Sequence, residues 1–186
     1  KYIKGTVPVF APAGAGKYIS KFIRNPVIEL NQWASHKLPN GAEIHAASAL
    51  HTGFRWNPLL HRECNSYVLS NGASKVYFAG DSGCGPHFKE IGRLYSADGP
   101  IDVALLPIGG YAPAWLMQRY HMNPAEAVQA FLDLGAKNMV PIHYGTFRLS
   151  AEKLAEPPEW LSRLKIERNL EDKIHILQSG ERVEFE

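Results

Sequence analysis

Cysteine is scarce: the chain has two, Cys64 and Cys84. That is too few for a disulfide framework, so a reducing compartment and a cytoplasmic protein are expected. A dominant charge is missing too. Lys and Arg number 20 against 18 Asp and Glu, a net +2, with no run of like charge. This excludes the basic stripe that a nucleic-acid binder carries. The longest apolar stretch, Val103 to Met117, is broken by Pro107, Gly109, Gly110 and Pro113, so no segment is built to cross a bilayer. Membrane contact, if any, is expected to be peripheral. The opening residues carry no signal-peptide pattern, and there is no repeat, low-complexity tract or linker.

What is present is an ordinary globular balance. Over 186 residues, 45% are hydrophobic and 20% charged, enough for one domain with a real core. Short apolar runs alternate with helical stretches. Strands are predicted at Val7–Phe10, Val27–Leu30, Ala42–Leu50, Asn65–Leu69, Lys75–Ala79, Ile101–Ile108, Asn138–Ile142, Ile174–Leu177 and Arg182–Phe185. Asn71-Gly72 marks a hairpin. A helix is predicted from Gly16 to near Arg24. Another starts at Asn123-Pro124-Ala125-Glu126, with Asn123 as cap, Pro124 in the first turn, Ala127, Val128, Phe131 and Leu132 as apolar stripe, and Gly135 as stop. Ala151–Leu164 reads as a helix interrupted by Pro157 and Pro158. Such alternation, with hairpins at one end, points to an α/β sandwich.

Three polar residues stand at the carboxyl ends of apolar strands: His51 after Ala-Ala-Ser-Ala-Leu, Asp81 in Phe-Ala-Gly-Asp-Ser-Gly, and His143 in Val-Pro-Ile-His-Tyr-Gly. Taken singly, each has a simpler reading, a hydrogen-bonded structural histidine or a turn-forming Asp. Taken together they suggest one site, because layered α/β folds gather ligands outside strand carboxyl ends. Imidazole and carboxylate are donors that zinc accepts in catalytic sites.

Other features are weaker. Gly14-Ala-Gly16-Lys17 looks like a phosphate loop, but Ala11 and Tyr18 stand where Gly and Ser or Thr are required. A strand-to-helix turn is the better account. Cys84 reads as a small buried thiol. His61 and His87 are expected at the surface or behind a ligand, and His36, His45 and His175 in structural roles. Trp115, Leu116 and Met117 fit a lipid-facing patch or lid, or ordinary core.

Tyr77-Phe-Ala-Gly-Asp81-Ser-Gly83 followed by Phe88-Lys-Glu-Ile-Gly92, then Asp102-Val-Ala-Leu-Leu-Pro-Ile-Gly-Gly-Tyr111 with Pro113-Ala-Trp115, then Tyr120-His-Met-Asn-Pro-Ala-Glu-Ala127, then Pro141-Ile-His-Tyr-Gly-Thr-Phe147, occur in order. Trp33, Leu38-Pro-Asn-Gly41 and Ala49-Leu-His51 add to the series. From about Val9 to Phe147 the chain resembles the N-acylphosphatidylethanolamine-hydrolysing phospholipase D family of the metallo-β-lactamase superfamily. The resemblance implies an αββα sandwich of which residues 1–186 form the C-terminal portion. It implies two zinc ions. His51 would be the third histidine of the first zinc site, Asp81 the bridge between the ions, and His143 a ligand of the second. His121 would lie over the metals to contact substrate phosphate or protonate a leaving group; a polar residue at the start of a helix is the plainer alternative. The implied reaction is cleavage of a phosphodiester in a phospholipid or small molecule by a metal-activated water.

One departure stands out. The superfamily's His-x-His-x-Asp-His motif is absent, since no two of the histidines at 36, 45, 51, 61, 87, 121, 143 and 175 are separated by a single residue. By the family pattern it belongs just before Lys1. The expectation is that an N-terminal part, in the same protein or a partner chain, supplies it, and that this chain alone binds zinc weakly. A lactonase of the same superfamily, and a non-catalytic fragment or pseudoenzyme acting as a binding module, are the alternatives.

Overall fold

The computed structural model describes residues 5–52, 63–148 and 150–185; His61 lies outside them. Strands β1 (Val9–Pro12) and β2 (Val27–Leu30) pair in parallel, connected through the short helix α1 (Gly16–Ile19). The main sheet follows in sequence order: β3 (Ser35–Lys37), β4 (Glu43–Ser48), β5 (Asn65–Ser70), β6 (Lys75–Phe78), β7 (Val103–Pro107) and β8 (Asn138–Ile142). Helices α2 (His87–Tyr95), α3 (Ala114–Met117) and α4 (Pro124–Leu134) precede β8, and α5 (Glu156–Glu167) comes after it.

Strand direction positions the site. The pairs β3–β4, β4–β5 and β5–β6 are antiparallel, and β6–β7 and β7–β8 are parallel. Hence β4, β6, β7 and β8 all run the same way, and their carboxyl ends share one edge of the sheet.

Side-chain alternation gives the sheet two faces. On one, Val68, Tyr77, Ala104, Leu106 and Met139 join the principal core with Phe88, Ile91, Phe131 and Leu161. Tyr77 meets Phe88 edge to face, with centroids 6.2 Å apart. Each fully buried side chain of this size contributes about 1.5–3 kcal/mol. The helices form a single layer here: α2 packs on α4 and β4, and α4 on α5 and β7. On the other face, Ile44 and Ala46 with the partly buried Tyr67 pack against Leu30, Phe10 and Ile28, so the two-stranded sheet begins a second β layer. Farther along that face Leu69 and Phe78 remain 44% and 40% exposed.

Helix α4 follows its sequence signals. Asn123 Oδ1 accepts from Glu126 N–H at 3.0 Å, and Glu126 Oε2 accepts from Asn123 N–H at 2.9 Å, a capping box with Pro124 in the first turn. Gly135 ends it in the left-handed region. The buried stripe uses Leu134 in place of Leu132, which is half-exposed.

Several expectations are corrected. Neither Ile174–Leu177 nor Arg182–Phe185 is a strand; Ile174 forms only an isolated bridge, to Met139. The last helix begins at Glu156, with its prolines at the start. There the missing N–H has no intrahelical acceptor to lose. The helix after Gly16 is one turn long and does not reach Arg24. No helix among the described residues is long and apolar enough to cross a membrane.

Candidate metal centre

His51 lies just beyond β4, Asp81 just beyond β6, Gly109 and Gly110 beyond β7, and His143 directly after β8. All four loops leave the same edge, which brings the three sequence-predicted donors together. His143 Nε2 stands 3.4 Å from Asp81 Oδ1, and His51 Nε2 stands 3.9 Å from Asp81 Oδ2. Each carboxylate oxygen therefore turns toward a different imidazole.

The far ring nitrogens define the tautomers. His51 Nδ1 faces the Thr52 carbonyl at 3.1 Å and His143 Nδ1 faces the Gly109 carbonyl at 3.3 Å. A carbonyl can only accept, so both rings carry a proton on Nδ1, and Nε2, the atom turned toward Asp81, is the one a metal can take. This is the arrangement of histidines that ligate metal.

His121 completes the cluster from the loop before α4. Its ring centroid is 5.3 Å from that of His143, nearly stacked at 22°, and 5.3 Å from that of His51 at 85°. Burial pushes its pKa down, and His143 and His51 push the same way. Its Nδ1 is buried and has no hydrogen-bond partner among the described residues.

Two glycines make room for these rings. A Cβ on Gly110 would stand 3.1 Å from His121 Nδ1 and 3.4 Å from His143 Cε1, and the residue has φ +83°. One on Gly109 would collide with the His143 carbonyl. His143 itself has φ 58°, a strained conformation for an L side chain and one that clusters at functional sites. Glu152 clamps this loop by accepting from Gly110 N–H at 2.6 Å, Ala112 N–H at 3.1 Å and Ser150 Oγ–H at 2.6 Å. Burial alone would raise its carboxyl; these hydrogen bonds more than offset that and hold it below the usual range. Glu152 carried no sequence signal of its own. A cavity of about 270 Å³ opens beside His143, lined by Gly110, Phe147, Arg148, Glu152, Lys153 and Leu154 among others.

The donor set fits divalent metal chemistry: two imidazole Nε2 atoms flank a carboxylate that is 46% exposed. Among the described residues, however, no group of three or more His, Cys, Asp and Glu is placed to hold one ion. The two facts agree, because the carboxylate divides the donors into two places with one imidazole nitrogen and one oxygen at each.

The remaining expectations sort cleanly. The Gly14–Lys17 turn is filled by the chain's own anion: Glu29 accepts from Gly14 N–H at 3.0 Å and Gly16 N–H at 2.5 Å. His87 is not at the surface but buried, bonded to Ser82. Cys84 is half-buried against the Glu126 carbonyl. His36 packs on Phe10, His45 on Tyr95, and His175 bonds Asn138. Trp115 and Leu116 are exposed, so α3 is not core.

A family model described as beta-lactamase superfamily domain matches residues 3–144. The chain belongs to this superfamily. It is 35% identical over 167 residues to N-acyl-phosphatidylethanolamine-hydrolyzing phospholipase D 1 of Caenorhabditis elegans, covering 83% of this chain and 46% of that protein. It is 33% identical over 154 residues to a UPF0173 metal-dependent hydrolase of Pyrobaculum islandicum, covering 83% of this chain and 58% of that one. The chain thus spans about half the length of the curated relatives it matches. Among solved structures, Igni18, a metallo hydrolase from Ignicoccus hospitalis, superposes with a TM-score of 0.69 at 26% identity, over 94% of this chain and 66% of that one. The superfamily's fold is the one the sequence resemblance implied.

Proposed function

We propose that this chain forms the Asp81 side of a dinuclear zinc centre in a hydrolase that cleaves phosphodiesters, of the N-acylphosphatidylethanolamine phospholipase D kind. The observation that carries the reading is the division of Asp81, with Oδ1 toward His143 and Oδ2 toward His51. A carboxylate so divided suits a bridge between two cations. The names of the similar proteins, metal-dependent hydrolases and a phospholipase D, support the reaction class.

In this reading His51, Asp81 and His143 hold the ions together with further ligands. Zinc bound there supplies Lewis acidity toward a phosphoryl oxygen and makes water nucleophilic at neutral pH. His121, against both ligand rings, contacts the phosphoryl group or donates a proton to the departing oxygen. The cavity beside His143 takes the part of the substrate next to the scissile bond, with Arg148 and Lys153 toward its anionic charge and Phe147 and Leu154 toward its apolar part. Its volume of about 270 Å³ suits a headgroup rather than whole acyl chains.

The test combines metal analysis of the intact protein by mass spectrometry with hydrolysis of N-acylated phosphatidylethanolamine and of a lactone. About two zinc ions and release of phosphatidic acid support the reading. A fully metal-loaded protein that opens the lactone and leaves the phosphodiester intact overturns the substrate class. A protein that takes up no metal overturns the centre.

A further inference from the structure

The loops carrying His51 and Asp81 are joined at one buried point. Ser82, wholly buried, accepts from Leu50 N–H at 3.0 Å, lies 3.0 Å from the Gly83 carbonyl, and lies 3.2 Å from His87 Nε2. Gly83 N–H donates back to the Leu50 carbonyl at 2.8 Å. Leu50 adjoins His51, and Ser82 adjoins Asp81. Gly83 adds a third loop: a Cβ there would stand 2.7 Å from the Arg119 carbonyl oxygen, on the segment that leads to His121. Three of the four polar residues of the site therefore rest on one node.

Proton accounting fixes how the node is wired. Ser82 has one hydroxyl proton and two lone pairs. If it gave its proton to His87 Nε2, the Gly83 carbonyl would lose that donor. His87 would then carry its own proton on Nδ1, a buried atom without a partner. If His87 instead donates Nε2–H to Ser82, the hydroxyl proton goes to the Gly83 carbonyl and both lone pairs are used, by Leu50 and His87. Only an acceptor, Nδ1, is then left over. A stranded buried acceptor is commoner than a stranded buried donor, so the second wiring prevails.

We propose that Ser82 and His87 are positioning residues for the metal centre: a neutral, Nε2-protonated His87 holds the Ser82 hydroxyl so that it ties the His51 loop to the Asp81 loop. The inference rests on the metal-centre reading above. The tie sets the separation of the two donors, and so the affinity for the ion, without touching it. Groups that orient ligands from behind change metal affinity by about 10–100-fold when removed.

The experiment uses the intact protein with Ser82→Ala, Ser82→Thr and His87→Phe. Three readouts are taken: zinc affinity by competition with a chromogenic chelator, the melting midpoint of the metal-free protein, and hydrogen exchange at the Leu50 amide. Ser82→Ala and His87→Phe are expected to weaken zinc by at least tenfold and Ser82→Ala to speed exchange at Leu50. Ser82→Thr, which keeps the hydroxyl, restores both. Nitrogen-15 NMR is expected to find His87 protonated at Nε2. Unchanged affinity in Ser82→Ala overturns the proposal, as does an Nδ1-protonated His87. So does an affinity loss that tracks the metal-free melting midpoint and is not restored by threonine. If the unaltered protein takes up no zinc, the metal-centre reading fails, and the positioning role fails with it. Leu50 exchange and the His87 tautomer then still report whether the hydrogen-bonded node exists.

Discussion

His121 and His143 lie nearly parallel with centroids 5.3 Å apart, and any Cβ on Gly110 would meet both rings. The two imidazoles hold different posts. His143 turns its Nε2 to Asp81, and His121 does not.

That difference predicts opposite outcomes for two truncations. Asp81→Ala removes the carboxylate that turns one oxygen to His51 Nε2 and the other to His143 Nε2, and is expected to abolish activity and lower metal content. His121→Ala is expected to reduce turnover by about 10²–10⁴-fold, the range for one proton-transfer group, while the metals stay in place. Metal analysis beside steady-state kinetics checks both.

Gly110→Ala places a methyl group against both rings and forces a side chain into φ +83°. The expected result is a loss of about 1–3 kcal/mol together with lower turnover. Thermal melts and kinetics read the two effects separately. A second substitution, Gly99→Ala, controls for backbone strain alone, since that glycine also has positive φ but nothing within 4 Å.

Asn123→Ala removes half of the capping box at α4 and is expected to destabilise the fold by about 1 kcal/mol. Asn123→Asp, which keeps an acceptor, should recover most of it. Chemical denaturation midpoints decide the matter.

Burial lowers the His87 pKa from 6.5 to about 4. The unfolded chain therefore takes up this proton at higher pH than the folded one. Between those values the unfolded state binds more protons, and stability falls as pH drops from 6.5 through about 4. The contribution is at most roughly 3 kcal/mol. His87→Phe removes it, so the unaltered protein should lose stability relative to this variant as pH falls from 7 to 4.5.

What the sequence disclosed was whatever is encoded locally. Asn123, Pro124, Glu126 and Gly135 specify α4 within one stretch, and the structure keeps all four roles. The donors His51, Asp81 and His143 were legible as strand ends, and their meeting follows from β4, β6 and β8 sharing a direction. Pairing across the chain was not legible. Ile174–Leu177 has a strand's composition, yet it meets β8 only in the isolated bridge at Ile174 and the bonds of His175. Ser35–Lys37 has no such composition and is a strand because β4 pairs with it. His87 read as either a surface residue or one behind a ligand, for polarity is read from the residue itself, while the partner that permits burial, Ser82, is read only from the fold. Leu132 and Leu134 sit two apart, and the α2 side of α4, not periodicity alone, selects the second.

The shared edge has a consequence for folding. His51, Asp81 and His143 come from three strands with a fourth, β7, between the last two, so no subdomain contains the complete set of contacts. A ligand that needs all three recognises only the assembled sheet, and mass action then weights the native ensemble as a whole. Chelation is thus expected to lower the melting transition of the entire domain in one cooperative step, and not to release a single loop.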